Sequence, residues 1–263
     1  TPRVSTYATL RAHPGAPPAA RPLDMPVVLK PYQHENAQFG YLPDYPLTNQ
    51  VYFDGRNVPW ITSKSGVFRL RGDNWTETDI VRLADGGEAP FRLRSSKVAF
   101  DRDSRMYVIG NVNGATALLW SSDSTAFRST ALPGRGAFDI EQFSGHNPPA
   151  GPPPIVRYTQ TAADPDHKWR KVNTLDLFLP EKTGEGDLAL SEPVQVADRC
   201  IGFSAHSGIP SSVVSRDGRV HVVWGEATDP DKDVPGVPTY AATYDRATGV
   251  LSPPALLGHG PPA

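Results

Sequence analysis

The chain has 263 residues, of which 38% are hydrophobic and 21% are charged, and its formal net charge is -2. A chain of this length and composition can bury a substantial core, which excludes a tail or a linker. The near-neutral charge disfavours nucleic acids and anionic membrane surfaces as partners.

Proline and glycine residues are distributed along the whole chain. The 28 prolines and 23 glycines fall between short apolar runs rather than in one low-complexity block. No run approaches the ~20 apolar residues of a membrane helix, and no long helix is indicated. The sequence therefore predicts an all-β protein of many short strands. Its one cysteine, Cys200, excludes an internal disulfide and is expected to be a buried free thiol.

A repeat organises the chain after an extended, proline- and alanine-rich lead-in at residues 1–31. Residues 32–263 are predicted to contain four repeated units, whose approximate bounds are 51–96, 97–144, 145–205 and 206–263.

Two segments carry the repeat most clearly. Residues 98–109 align with residues 212–223, with Asp103 opposite Asp217, and each segment is predicted to be a hairpin with an Asp-x-Arg tip. A third strand follows each hairpin, at 117–123 and at 240–246. The unit spacing of roughly 45 to 60 residues is typical of propeller blades. We favour a β-propeller of four-stranded antiparallel blades over the alternative, an antiparallel sandwich with similar hairpins, because the matching segments keep the same order within each unit.

Histidines recur beside the units. His146 precedes the third unit, His206 precedes the fourth, and His259 lies near the chain end. Counting back from the hairpin aspartate places Arg92 at the position of His206, and Arg94 follows two residues later. Loops that enter the innermost strands of propeller blades converge at the channel mouth. The sequence thus predicts a cationic, titratable site for an acidic sugar, although each histidine alone is equally compatible with capping a turn.

Other polar residues point to no definite site. His221 lies in a predicted strand and is expected to be a satisfied core residue. The acidic segment 229–233 offers oxygen ligands compatible with a structural divalent cation, but it has no recognised loop spacing and is interpreted as a solvated insertion. No cofactor and no metal-ligand set is predicted.

Three motifs together resemble a known family: His-Asn-x-Pro at 146–149, Ser-Arg-Asp-Gly-Arg-Val-His-Val-Val-Trp at 215–224, and Thr-Tyr-Ala-Ala-Thr-Tyr-Asp-Arg-Ala-Thr-Gly at 239–249. They are similar to the BNR-repeat, neuraminidase-like propeller proteins, and within that group to the ulvan-type polysaccharide lyases. The resemblance covers residues from about 32 to the end of the sequence. It implies a seven-bladed ring, of which four units would be an incomplete part, and the match of residues 258–263 to 145–150 predicts a further unit after residue 263.

The resemblance also implies a function. Lyases of this group cleave a uronate glycoside by β-elimination, and motif positions make His146 and His206 the candidate catalytic residues. The candidate substrate-binding residues are Asn147, Arg92, Arg94, His259 and Tyr240. The expected partner is an acidic polysaccharide or oligosaccharide, and the expected location is secreted or periplasmic, with no signal peptide visible.

Two alternatives to a lyase remain. A non-catalytic glycan-binding propeller would use the same residues only as hydrogen-bonding groups. A glycoside hydrolase would need two carboxylates about 5 to 10 Å apart, and no such pair stands out at the repeat loops. The Ser-x-Asp-x-Gly-x-x-Trp box of sialidases is missing, which disfavours sialidase activity.

Overall fold

The computed structural model describes residues 51–62, 66–72, 74–122, 125–140, 151–163, 170–203, 211–214, 218–226 and 238–259. Within these ranges the chain is built from β-strands, and the one helical element is a 3-10 turn at Gly184–Gly186. The prediction of an all-β protein is confirmed. No helix in these ranges is long and apolar enough to cross a membrane. The predicted lead-in at 1–31 lies outside the described residues.

The first sheet is an antiparallel meander in which each strand pairs with the next along the chain. Its strands are β1 (Val51–Phe53), β2 (Pro59–Thr62), β3 (Val67–Arg71) and β4 (Asn74–Thr78).

The second sheet closes into a five-stranded barrel. Its strands are β5 (Ile80–Arg82), β6 (Glu88–Phe100), β7 (Met106–Val112), β8 (Ala115–Ser121) and β9 (Phe127–Ala131). Strand β5 pairs antiparallel with β6 and parallel with β9, which completes the closure. The register between β6 and β7 shifts between Leu93 and Val98. Such irregularities bend a strand, so the first residues of β6 reach β5 while its last residues pair with the start of β7.

The third sheet has the order β10-β11-β12-β15 and is antiparallel. These strands are β10 (Ala137–Ile140), β11 (Ile155–Ala163), β12 (Arg170–Phe178) and β15 (Val194–Phe203). A separate hairpin, β13 (Pro180–Lys182) with β14 (Leu188–Leu190), lies in the chain between β12 and β15.

The fourth sheet has the order β16-β17-β18-β19, and β20 also pairs with β18. Its strands are β16 (Ser211–Val214), β17 (Arg219–Gly225), β18 (Pro238–Asp245), β19 (Val250–Leu251) and β20 (Ala255–His259). Both short strands run antiparallel to β18 on either side of Ser252–Pro254, and together they act as one interrupted strand.

The four sheets pack face to face in chain order through three apolar clusters. The first cluster joins the first two sheets, the second joins the second and third sheets, and the third joins the third and fourth sheets. Strand β7 shows the arrangement, because Met106 and Val108 lie in the first cluster whereas Tyr107 and Ile109 lie in the second. The two inner sheets are therefore apolar on both faces, which is the reason that their strands read as nearly continuous hydrophobic runs.

The two hairpins predicted from the sequence are present as strand pairs, and residues 215–217 at the second tip lie outside the described residues. Ala99 pairs with Tyr107 and Val213 pairs with His221, at positions that the alignment makes equivalent. The weaker match at residue 51 has the same register, since Tyr52 pairs with Trp60. The third strands of both units are present as β8 and β18.

The bounds of the sheets differ from those of the predicted units. The second sheet begins with β5 at Ile80, whereas a unit of four strands was expected from about residue 97. The third sheet begins with β10 at Ala137, and the strand expected to open it, β11, is its second strand. The short β10 carries only the residues Ala-Phe-Asp-Ile before a long connection, and this brevity hides it from a search for hairpins.

Candidate functional site

Three predicted site residues, His146, Asn147 and His206, lie outside the described residues. Their places in the chain differ, because residues 141–150 link the first two strands of the third sheet. His206 instead lies in the connection from β15 to β16, between the third and fourth sheets.

Arg92 and Arg94 form an exposed cationic pair on β6. They alternate with the buried Phe91 and Leu93, so both arginines lie on the face of the strand that points away from the first apolar cluster. No ion pair or hydrogen bond engages either guanidinium within the described part of the chain. Two unpaired guanidinium groups on one strand face offer a fork-shaped set of donors to an incoming carboxylate.

Tyr240 and His259 lie in the fourth sheet. Tyr240 is half-buried, and its ring stacks on Trp224 with centroids 6.1 Å apart and planes inclined by 24°. His259 is exposed near the end of β20, where it pairs with Pro238. Among the described residues, no hydrogen bond, ion pair or ring contact connects Arg92, Arg94, Tyr240 and His259 with one another. The described geometry does not bring these four predicted residues together.

His221, expected to be a satisfied core residue, is half-buried and has a partner across the strand pair. Its Nδ1 lies 2.9 Å from Oγ1 of Thr243, on the face of β17 that points away from the third cluster. This hydrogen bond accounts for the imidazole without any ligand.

A polar group that the sequence did not single out lies between the third and fourth sheets. We call it the junction cluster, and it consists of Tyr158, Asn173, Cys200, Trp224, Glu226 and Tyr240. An isolated antiparallel bridge between Cys200 and Glu226 connects the two sheets here, and Asn173 Nδ2 donates to the Cys200 carbonyl oxygen at 3.3 Å. The alternation of β17 was the available signal, because Val220, Val222 and Trp224 are buried on one face.

The electrostatics of the junction cluster favour protonated groups. Burial raises the pKa of the Cys200 thiol to about 12, and the nearby Glu226 carboxylate adds to the shift. Burial, followed by the Asp139 carboxylate, raises the pKa of Tyr158. The pKa of Glu226 is also raised, mainly by burial, with Asp198 adding to the effect and Arg199 opposing it. The Cys200 thiol is therefore a poor nucleophile near neutral pH, and the Tyr158 hydroxyl keeps its proton and can donate a hydrogen bond.

Within the described ranges, no group of three or more His, Cys, Asp and Glu side chains is arranged to hold a metal ion. The acidic segment 229–233, which the sequence made a candidate for a structural cation, lies outside those ranges.

The chain matches no protein-family model and no curated protein sequence. The similarity to BNR-repeat propellers therefore stays a prediction from the motifs at 146–149, 215–224 and 239–249.

Proposed function

We propose that the four sheets are successive blades of a β-propeller, part of a ring. The support is the stacking in chain order, in which each neighbouring pair of sheets shares one apolar cluster. In a two-layer sandwich a sheet would bury one face, whereas the second and third sheets here each contribute to two clusters.

The orientation of equivalent residues also supports this proposal. Trp60 of the first sheet lies in the cluster shared with the second, and Tyr107 of the second lies in the cluster shared with the third. Equivalent aromatic residues thus point toward the next sheet in the chain. His221, the equivalent residue of the fourth sheet, is on the face that points away from the third sheet.

An experimental structure of the full-length protein tests the propeller proposal. Sheets that rotate in one direction about a common axis support it, while two opposed layers of sheets contradict it.

For the function, we propose that this propeller binds an acidic polysaccharide through Arg92 and Arg94. The observation that carries the proposal is that two guanidinium groups are exposed on the same face of β6, with no ion pair or hydrogen bond to them among the described residues. Charge-assisted hydrogen bonds to a uronate carboxylate are stronger than the neutral contacts that a neutral sugar could offer there. The same clamp would serve a lyase, because β-elimination requires a cationic group on the carboxylate. Lyase activity is the second candidate, with His146 and His206 as its predicted acid and base.

Binding is tested with polygalacturonate, alginate and hyaluronate, with dextran as the neutral polymer, by affinity electrophoresis and calorimetry. We expect retention on at least one acidic polymer and none on dextran, and weaker binding at higher ionic strength. The double variant Arg92→Gln/Arg94→Gln should weaken binding about tenfold. A matched double variant, Arg56→Gln/Arg102→Gln, removes two exposed arginines at hairpin tips and should bind as the wild type does.

The two double variants decide the binding proposal. Equal losses in both would show that net charge alone drives association, and retention of affinity in the Arg92/Arg94 variant would contradict the assigned surface. Lyase activity is followed in the same samples by the ultraviolet absorbance of an unsaturated uronate. Binding without new absorbance favours the non-catalytic propeller.

A further inference from the structure

We infer that the junction cluster is a binding site for an uncharged sugar ring, separate from the arginine pair on β6. The inference goes beyond the proposed binding of acidic glycans and does not depend on it.

The cluster has an aromatic platform. Tyr240 is half-buried and stacks on Trp224, which is 3% exposed and packs in the core between the third and fourth sheets. A partly accessible ring that rests on a buried ring is rigid, so little entropy is lost when a ligand packs on it. Ligand sites generally combine such apolar surfaces with a few oriented polar groups.

The cluster also contains a hydrogen-bond donor without an acceptor. The indole Nε1 of Trp224 is buried and has no partner within the described part of the chain. Buried donors are nearly always paired, and an unpaired one costs about 1–3 kcal/mol. By contrast, the buried indole of Trp60 in the first sheet donates from Nε1 to Asp54 at 3.1 Å. A ligand hydroxyl oxygen would supply the acceptor that Trp224 lacks.

The charges around the junction select an uncharged ligand. Glu226 lies within electrostatic range of Asp198 and Arg199, and Tyr158 lies within range of Asp139. Three carboxyl groups against one guanidinium would repel a uronate. Glu226 and Tyr158 are both partly accessible, so the Glu226 carboxylate can accept a hydrogen bond from a sugar hydroxyl and the Tyr158 hydroxyl can donate one to a sugar oxygen. The net charge around the junction cluster is therefore opposite in sign to that of the arginine pair on β6.

The test observes the indole N–H of Trp224 directly. The full chain, labelled with nitrogen-15, is titrated with maltohexaose, cellohexaose and xylohexaose, and the Trp224 Nε1–H signal is identified by its loss in Trp224→Phe. We expect one of these neutral oligosaccharides to shift this signal in a saturable manner. Tyr240→Leu, which keeps apolar volume but removes the ring, should weaken that binding roughly fivefold. Tyr240→Phe should retain it.

Tyr244→Leu is the matched control, because Tyr244 lies on the same strand and packs against the same apolar cluster. It should leave the affinity unchanged. No shift of the Trp224 signal with any of the three probes overturns the inference, and so does a shift that Tyr240→Leu leaves unaltered. Either result is independent of the polygalacturonate and alginate measurements, so the failure of one site is distinguishable from the failure of the other.

Discussion

The carboxylate of Asp101 accepts a 2.7 Å hydrogen bond from the hydroxyl of Tyr107, six positions further along the chain. Its other oxygen accepts from the backbone N–H groups of Asp103 and Arg105, at 3.0 and 2.9 Å. In the first sheet, Asp54 makes the same set of bonds to two backbone amides and to Trp60 Nε1. One buried aspartate thus closes the hairpin tip and holds the aromatic residue of the next strand.

Asp101→Ala should lower the free energy of unfolding by about 3 kcal/mol, because it leaves two amides and a buried phenol without their acceptor. Asp103→Ala at the same tip removes an exposed side chain and should cost less than about 0.5 kcal/mol. Urea denaturation measures both. A double-mutant cycle with Tyr107→Phe should show coupling of about 1 kcal/mol, and strictly additive losses would mean that the bond contributes nothing.

Each hairpin tip has one residue in the left-handed backbone conformation, and this predicts how replacing a glycine there changes stability. The backbone φ is 59° at Asn57, 62° at Ser104 and 83° at Gly218, three positions that the repeat makes equivalent. Gly218→Ala should destabilise the protein by about 1 kcal/mol, since a Cβ disfavours this conformation. Gly184→Ala is the control, because a Cβ at either glycine meets nothing within 4 Å and only Gly218 has a positive φ. Equal thermal midpoints for the two variants would contradict this explanation.

Cys200 should be unreactive in the native protein. Its side chain is 0% exposed, and its pKa of about 12 leaves almost no thiolate at pH 8. Iodoacetamide should therefore modify the protein only as it unfolds, with a rate that follows the urea transition. Because the sequence has one cysteine, intact-mass measurement reports the reaction without ambiguity. Rapid stoichiometric alkylation under native conditions would show that the junction is open.

Glu226 should make stability depend on pH. Its pKa is raised in the folded state, so the folded protein holds this proton more tightly than the unfolded chain does. The contribution of Glu226 to the free energy of unfolding is fully present below the ordinary pKa of a glutamate. It declines as the pH rises through the higher pKa of the folded state. In Glu226→Gln that decline should be reduced relative to the wild type. Parallel stability curves of the two proteins from pH 4 to pH 8 would exclude the effect.

Much of the local structure was predictable. Residues 98–109 and 212–223 predict hairpins because each segment has two short apolar runs on either side of a polar, aspartate-containing turn. The structure pairs Ala99 with Tyr107 and Val213 with His221, at positions that the alignment makes equivalent. The extra closure of the second sheet was not predictable from this pattern, since it depends on a bend in β6 between Leu93 and Val98.

The candidate site residues were also predictable only in part. The sequence singled out Arg92 and Arg94 by repeat position and Tyr240 as a candidate substrate-binding residue of a lyase. The structure adds that the arginines are exposed while Tyr240 packs on Trp224. Glu226 and Tyr158 carry no motif. The approach of the fourth sheet to the third places Glu226 beside Cys200, whereas the pairing of strands within the third sheet brings Tyr158 near Cys200.

The amino-acid sequence by itself determined the all-β class, the spacing of the repeated hairpins and the residues at the hairpin tips. These features depend on neighbours within one hairpin. Which sheet faces which, and so which polar groups share a buried junction, was decided by tertiary packing. Those relationships join residues far apart in the chain, such as Cys200 and Glu226 with Tyr158, and no local pattern encodes such distances.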